Sequence, residues 1–389
     1  MKKISRRSFL KVSAAAAVAG TLAACGSTST ATATSSTAAS TAGSTAGTAA
    51  SGTVAVFYYN FSDTYISSVR TALDGDLDKA GIKYQDYDGA GDQGTQTNQV
   101  DTVIAGKTPL RIGNRGTSGS SDTASAICDK AKTAGVPVIF FNRAVEEDGN
   151  EGTVLGKYEN IAFVGTDAPE AGHMQGKMIG NYLDANYDKI DLNGDGSISY
   201  DMFKGDANNV EAIYRTQYGV EDCNAILKEK GYPELVYFDS TAAADARYQL
   251  DMTGNWSAQA ANDYMTTNLA QYSEANKNMI ELVICNNDNM AEGAISALNA
   301  AGYNLGDGKS TTIPVFGVDA TDSAKQLIAA GKMTGTIKQD AQGMADCISL
   351  LADNAVNGKD LLDGTDDYTK DTANNLNNKI YIAYQEYSG

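Results

Sequence analysis

A chain of 389 residues, 42% hydrophobic and 20% charged, can bury one large or two medium cores, which excludes a disordered or fibrous polypeptide. A formal charge of −18 makes it a poor ligand for nucleic acid or anionic lipid. Its five cysteines include no CxxC pair and give no zinc spacing, and Cys128, Cys223, Cys285 and Cys347 read as scattered buried residues.

The N-terminal residues carry Lys2, Lys3, Arg6, Arg7 and Lys11, then "VSAAAAVAGTLAA", an apolar run too short to span a bilayer as a mature helix. This predicts a signal peptide over 1–24. Leu22-Ala23-Ala24-Cys25 resembles the lipobox of bacterial lipoproteins, which implies cleavage before Cys25 and its lipidation. "SRRSFLK" also resembles a twin-arginine export signal. Residues 25–52 are almost only Ser, Thr, Ala and Gly, a flexible tether with an r.m.s. reach of roughly 30 Å. Loss of 1–24 removes five basic and no acidic side chains, deepening the charge from −18 to −23. The expected mature molecule is extracytoplasmic, a lipoprotein held at the outer face of the cytoplasmic membrane.

From residue 53 onward, short β-branched or aromatic runs alternate with stretches of helical period, as in βα units around a parallel sheet. Strands are predicted at "TVAVFYYN", "KYQDYDG", "PLRIGN" and "VPVIFFN", with helices near 64–80, 94–105 and 121–134. A second series follows: "IAFVGTD", a helix near 170–187, "SYDMFKG", a helix near 210–230, "ELVYFDS" and a helix near 256–272. It continues through "IELVICNND", a helix near 289–301, "IPVFGVDA", a helix near 322–330, "MTGTIKQD", a helix near 341–356 and a last strand "KIYIAYQE". Two α/β lobes are expected.

Open α/β sheets place ligands at the C-terminal ends of their strands. There the sequence puts Asp63 and Tyr65, Asn142, Asn286 to Asp288, Asp319, and Gln339 with Asp340. A carboxylate or amide serves two neighbouring hydroxyls of a polyol, so the set points to a hydroxyl-rich ligand. Asn and Asp also favour helix N-caps in their own right. Catalysis has little support: His173 is the only histidine, and "GDGKST" lacks the first glycine of a phosphate loop, where Tyr303 stands. Paired carboxylates for glycoside hydrolysis are not marked by any feature.

"DLNGDGSISY" orders Asp191, Asn193, Asp195, Gly196, the Ser197 carbonyl and Ser199 as in an EF-hand loop, but its twelfth position is Met202 where a bidentate Glu belongs. This loop, with "VPVIFFNR", "FVGTDAPEAGHMQGKMIG", "IELVICNNDNMAEGAISAL", "IPVFGVDATDSA" and "MTGTIKQDA", resembles the galactose/glucose-binding proteins of bacterial sugar ABC transporters, in order from residue 53 to the C-terminus. The resemblance implies a type I periplasmic binding protein fold, α/β, with two Rossmann-like parallel-sheet lobes on a three-segment hinge. The lobes would comprise 53–165 with 338–376, and 166–337 with 377–389, crossing near 165, 337 and 376. It implies a structural calcium ion held by Asp191, Asn193, Asp195, Ser197, Ser199 and Glu281, with Glu281 replacing the missing twelfth ligand.

For the sugar it implies Asp63, Asn142, Arg215, Asn287 and Asp319 as polar contacts, with Tyr65 and Trp256 as the two aromatic faces on which ring C–H groups pack. Three positions depart from the family: Asn209 and Glu211 in place of His and Asp, and Gln339 in place of Asn. The implied function is a non-enzymatic, monomeric receptor. It would bind D-galactose, D-glucose or a methyl-galactoside and deliver it to an ABC permease, with a chemoreceptor or sensor kinase as a further partner. A binder of a pentose, furanose signal or disaccharide, a sugar sensor and an exported glycosidase are the alternatives.

Overall fold

The structure, a computed structural model, describes residues 54–106, 111–113 and 120–389. The signal peptide, the tether and Cys25 lie outside the described residues. Among those described, no helix is long and apolar enough to cross a membrane.

The first lobe is built from β1 (Val54–Tyr58), α1 (Thr64–Lys79), β2 (Tyr84–Asp88), α2 (Gln93–Ala105), β3 (Arg111–Gly113), α3 (Ser121–Ala134), β4 (Val138–Phe141) and β5 (Ile161–Gly165). The chain then crosses into α4 (Ala168–Ile190), β6 (Ser199–Lys204), α5 (Val210–Lys230), β7 (Val236–Tyr237), β8 (Gln249–Leu250), α6 (Ala258–Leu269), β9 (Leu282–Cys285), α7 (Asp288–Ala300), β10 (Val315–Asp319), α8 (Asp322–Ala329) and β11 (Gly335–Lys338). It returns with α9 (Ala341–Val356), β12 (Thr369–Asp371) and β13 (Leu376–Tyr381), and ends with β14 (Gln385–Tyr387). One sheet has the order β12-β13-β5-β4-β3-β1-β2. The other runs β14-β11-β10-β9-β6-β7, with β8 also paired to β6.

The runs "VAVFY", "VIFF", "IAFVG", "LVIC" and "VFGVD" are buried at every position. Unbroken apolar strands of this kind require a sheet covered by helices on both faces, which parallel βαβ connections supply. The helices begin where a polar side chain can satisfy a free amide: Asp63, Asp92, Asn209, Ser257, Asn287 and Thr321 all cap their N-termini.

The predicted last strand is the point of correction. "KIYIAYQE" is divided between sheets, β13 pairing parallel with β5 and β14 antiparallel with β11. The third crossing therefore falls at 382–384 and not near 376, and residues 376–381 belong to the first lobe. The side chains decide this, since Ile380 and Ile382 enter the first lobe's core while Tyr384 enters the second's. The helix expected from 256 starts at Ala258, because Ser257 caps it and leaves Trp256 in the preceding turn.

One packing feature rests on "GHMQGKMIG". Gly172, Gly176 and Gly180 lie one turn apart on α4, and a Cβ at these positions would press on Tyr214, Tyr218 or Ile226 of α5. The backbones can pack this closely only without side chains between them. Gly75, in α1, has open space around it. Gly176→Ala is expected to destabilise by about 1–3 kcal/mol through overpacking, and Gly75→Ala to stabilise by about 0.5–1 kcal/mol through helix propensity. Urea denaturation midpoints should move in opposite directions; a shared sign would contradict the packing account.

Candidate functional site

The strand ends of both lobes converge on one cavity, lined by Asp63, Tyr65, Asn142, Asn209, Glu211, Arg215, Trp256, Asn287, Asp319 and Gln339, together with Tyr59, Ile66 and Arg143. All ten residues picked for the sugar from the sequence are thus brought together. Three of them do two jobs. Asp63 Oδ1 accepts from the Ile66 amide at 2.8 Å, Asn209 Oδ1 from Ala212 at 3.0 Å and Asn287 Oδ1 from Met290 at 3.0 Å. Each caps a helix with one oxygen, and the rest of its polar head is fixed in place beside the cavity. The Tyr59 hydroxyl donates to the other Asp63 oxygen. Asn142 follows β4 at φ 60, a left-handed conformation that Asn tolerates better than most residues.

Arg215 projects from α5 and is 3% exposed. Its Nη1 donates to the Asn286 carbonyl at 2.9 Å, and its Nη2 to Gln339 Oε1 at 3.1 Å and the Tyr384 hydroxyl at 2.9 Å. Tyr384 donates onward to Thr166 Oγ1 at 2.8 Å. Three buried polar atoms at the cavity have no protein partner: Glu211 Oε2, Arg215 Nε and Gln339 Nε2. Orphaned buried groups are costly and rare, so a donor and acceptor set left open on one cavity is suited to a ligand carrying both.

Burial pushes the Asp319 carboxyl well above the usual carboxylate range, with Asp288 and Asp63 adding to the shift and Arg215 opposing it. Burial also raises Glu211, again against Arg215. Both carboxyls are thus less ready to ionise than in water, and hydroxyl donors from a ligand would favour their charged forms.

Trp256 sits in the turn before α6 at φ 56, with its carbonyl accepting from Asn289 Nδ2 at 2.8 Å. Asp251 holds that turn, accepting from the Thr253 and Ser257 amides, each at 2.8 Å. The indole lies so near the Gly205 backbone that a Cβ there would run into the ring. Tyr65 directs its hydroxyl to Met344 Sδ at 3.8 Å, so the group that distinguishes it from Phe is turned toward α9.

Sequence reasoning missed Tyr59, Ile66 and Arg143. Arg143 stacks its guanidinium 3.7 Å from the Tyr59 ring centroid. The strand-end rule that selected Asn142 could have been extended by one residue to reach it. His173 lies apart from the cavity on α4, paired with Asp222 at 2.9 Å and stacked on Tyr218.

The loop 191–199 is drawn together by Glu281 of the strand-entry segment before β9. Glu281 Oε1 accepts from the Leu192 and Asn193 amides at 2.8 and 3.1 Å, and Oε2 from the Ser199 amide at 2.9 Å. Gly194 and Gly196 adopt φ 69 and φ 85, as the tight loop requires. Asp191 turns onto the amides of Gly194, Asp195 and Gly196, and the Asp195 carboxyl is held below its usual range by Ser197. Ser199 Oγ donates to the Met279 carbonyl at 2.6 Å. Met202 is wholly buried in β6, with its sulfur 3.8 Å from Asn286 Nδ2. The donors are all oxygens, which suits a hard cation in kind, but among the described residues no three His, Cys, Asp or Glu side chains converge at metal-ligating distance.

The only tryptophan makes fluorescence a direct reporter of the cavity. Gly205→Ala should displace the indole and shift its emission toward that of a more exposed ring; an unchanged spectrum in the folded variant would contradict the contact.

Residues 54–360 match the periplasmic binding protein domain family, and residues 3–23 match the twin-arginine translocation signal. Together these indicate an extracytoplasmic location. The chain is 34% identical, over 81% of its length and 85% of the relative's, to the D-galactose/methyl-galactoside binding periplasmic protein MglB of Haemophilus influenzae. Among solved structures, an ABC transporter solute binding protein from Clostridium phytofermentans with bound β-D-glucose aligns with TM-score 0.64, 18% identity and coverage of 86% and 93%. One from Bacillus halodurans with bound myo-inositol gives TM-score 0.62, 22% identity and coverage of 87% and 95%. These likenesses show the type I periplasmic binding protein fold.

Proposed function

The chain belongs to the periplasmic binding protein family, and from that premise we propose that it is the sugar-binding component of an ABC importer. It would take a hexose, D-galactose or D-glucose, between its lobes and deliver it to a membrane permease. The observation that carries this reading is the cavity itself: polar strand ends from both lobes, the aromatic side chains of Tyr65 and Trp256, and the orphaned Glu211 Oε2, Arg215 Nε and Gln339 Nε2. Hydroxyls supply donors and acceptors together, while Tyr65 and Trp256 suit the apolar C–H faces of a pyranose. A role as binder without chemistry follows the same family.

A second reading, another polyol on the same fold, is favoured by Asn209 and Gln339. Their side-chain oxygens are already engaged by Ala212 and Arg215. Which hydroxyl pattern fits depends on such details, because a site built for one hydroxyl rejects an analogue that misplaces it. A thermal-shift panel of aldohexoses, pentoses and inositols tests both. Galactose or glucose at about 100 times its Kd should stabilise by about 2.7 kcal/mol; no shift with any aldohexose at millimolar concentration would sink the hexose reading.

We further propose that Asp191, Asn193, Asp195, the Ser197 carbonyl, Ser199 and Glu281 hold calcium as a structural fastening of loop to sheet, and that Cys25 carries a lipid anchor. Chelation should lower the melting temperature of the wild type and leave Glu281→Gln unresponsive. An equal response in both proteins would refute the ligand set.

A further inference from the structure

The turn that presents Asp319 to the cavity is held in a conformation that side chains resist. Asp319 has φ 125 and Ala320 φ 54, two consecutive non-glycine residues with positive φ. Such backbone persists only where the surroundings over-determine it. The restraint here converges on one carboxylate, that of Asp288, the first residue of α7. Its Oδ2 accepts from the Thr321 amide at 2.8 Å, and its Oδ1 from Thr336 Oγ1 at 2.6 Å. The same Thr336 hydroxyl accepts from the Ala320 amide at 3.3 Å. One side chain on α7 thereby secures the two residues that follow Asp319 and the strand β11 beside it.

Asp288 is wholly buried and does not line the cavity. It has no cationic partner, and a carboxylate buried without one is expensive unless its hydrogen bonds repay the cost. Burial lifts it to about 7, with the Thr336 and Thr321 hydrogen bonds opposing and Glu292 adding to the shift. Gly317 lies directly beneath, where a Cβ would collide with Asp288 Oδ1. The carboxylate is therefore seated against the backbone of β10, two residues before Asp319. Its neighbour in sequence, Asn287, lines the cavity directly.

We propose that Asp288 is a positioning residue for ligand binding, which acts through Asp319 by clamping the strained 319–321 turn to β11. The proposal deepens the sugar-site reading and rests on it for its consequence in affinity, though the clamp itself does not. Asn at 288 would point an amide N–H₂ at one of two donors that both need an acceptor, and so breaks the clamp without changing size. Thr336→Val removes the bridging hydroxyl at equal volume, while Thr336→Ser keeps it.

The test has two arms on the full chain. Hydrogen exchange of the peptide spanning 318–323, without sugar, should quicken in Asp288→Asn and Thr336→Val and stay near wild type in Thr336→Ser. Calorimetry with D-galactose and D-glucose should show affinity falling by about tenfold or more in Asp288→Asn, with under twofold further change when the substitution is made in Asp319→Asn. Unchanged exchange in both clamp variants would overturn the proposal, as would effects of Asp288→Asn and Asp319→Asn on affinity that simply multiply. If Asp288→Asn fails to fold, the Thr336 pair decides alone. Faster exchange in the clamp variants, together with a wild type that binds neither hexose, supports the clamp and refutes the sugar assignment, so the two failures are distinguishable.

Discussion

The guanidinium of Arg215 is the constraint around which the molecule is arranged. Burying a cation is expensive, and it is tolerated only when its hydrogen bonds and opposite charges are fixed in advance. Here the partners come from the end of β9 through the Asn286 carbonyl, from Gln339 after β11, and from Tyr384 before β14. Tyr384 in turn holds Thr166. These last three residues stand on the three segments where the chain passes between sheets. One side chain of the second lobe is therefore bonded, directly or through one hydroxyl, to every crossing. The lobes can rotate about such crossings only by disturbing, or carrying along, the group that also faces the cavity with its free Nε.

The same economy appears at the helix starts. In a parallel α/β sheet a strand must stop, turn and begin a helix, and the first helical amides need acceptors. Asp63, Asn209 and Asn287 meet that need with one oxygen each. Because the helix fixes the cap, the polar head at the cavity is fixed with it, and at Asp63 the Tyr59 hydroxyl adds a second hold. Structural and functional explanations of these residues are therefore not rivals, since preorganisation of the site is a by-product of ending a strand well.

This explains what the sequence disclosed. Strand ends are local, set by apolar runs and their polar stops, so Asn142, Asn287 and Asp319 could be found by reading along the chain. The packed βα architecture was legible for the same reason. What escaped depends on contacts between distant residues. The division of "KIYIAYQE" turns on which core accepts Ile382 and which Tyr384. The run "ELVYFDS" shrinks to β7 because only Val236 and Tyr237 find ladder partners on β6. The positive φ of Trp256 follows from Gly205 and Asp251, neither of them adjacent to it in sequence. Nothing in the order of residues announces that glycines 172, 176 and 180 meet α5.

The balance of charge within the cavity narrows the ligand class. Asp63, Glu211 and Asp319 face Arg143 and Arg215, so full ionisation would leave a single negative charge in excess. Burial works against that state at Asp319 and Glu211, the former well above its usual range. The remaining polar lining, Asn142, Asn209, Asn287 and Gln339, is uncharged. An anionic ligand would meet three carboxyl groups and a cationic one two buried guanidinium groups. A neutral ligand faces neither penalty, and it can lower the cost of ionising Asp319 by donating hydroxyl hydrogens to it. The chain's large acidic excess does not enter this balance, because at physiological ionic strength surface charges beyond about 8 Å are screened while the buried pairs are not. What the cavity selects is therefore a matter of hydroxyl geometry, set by which polar atoms the helix caps and Arg215 have left open.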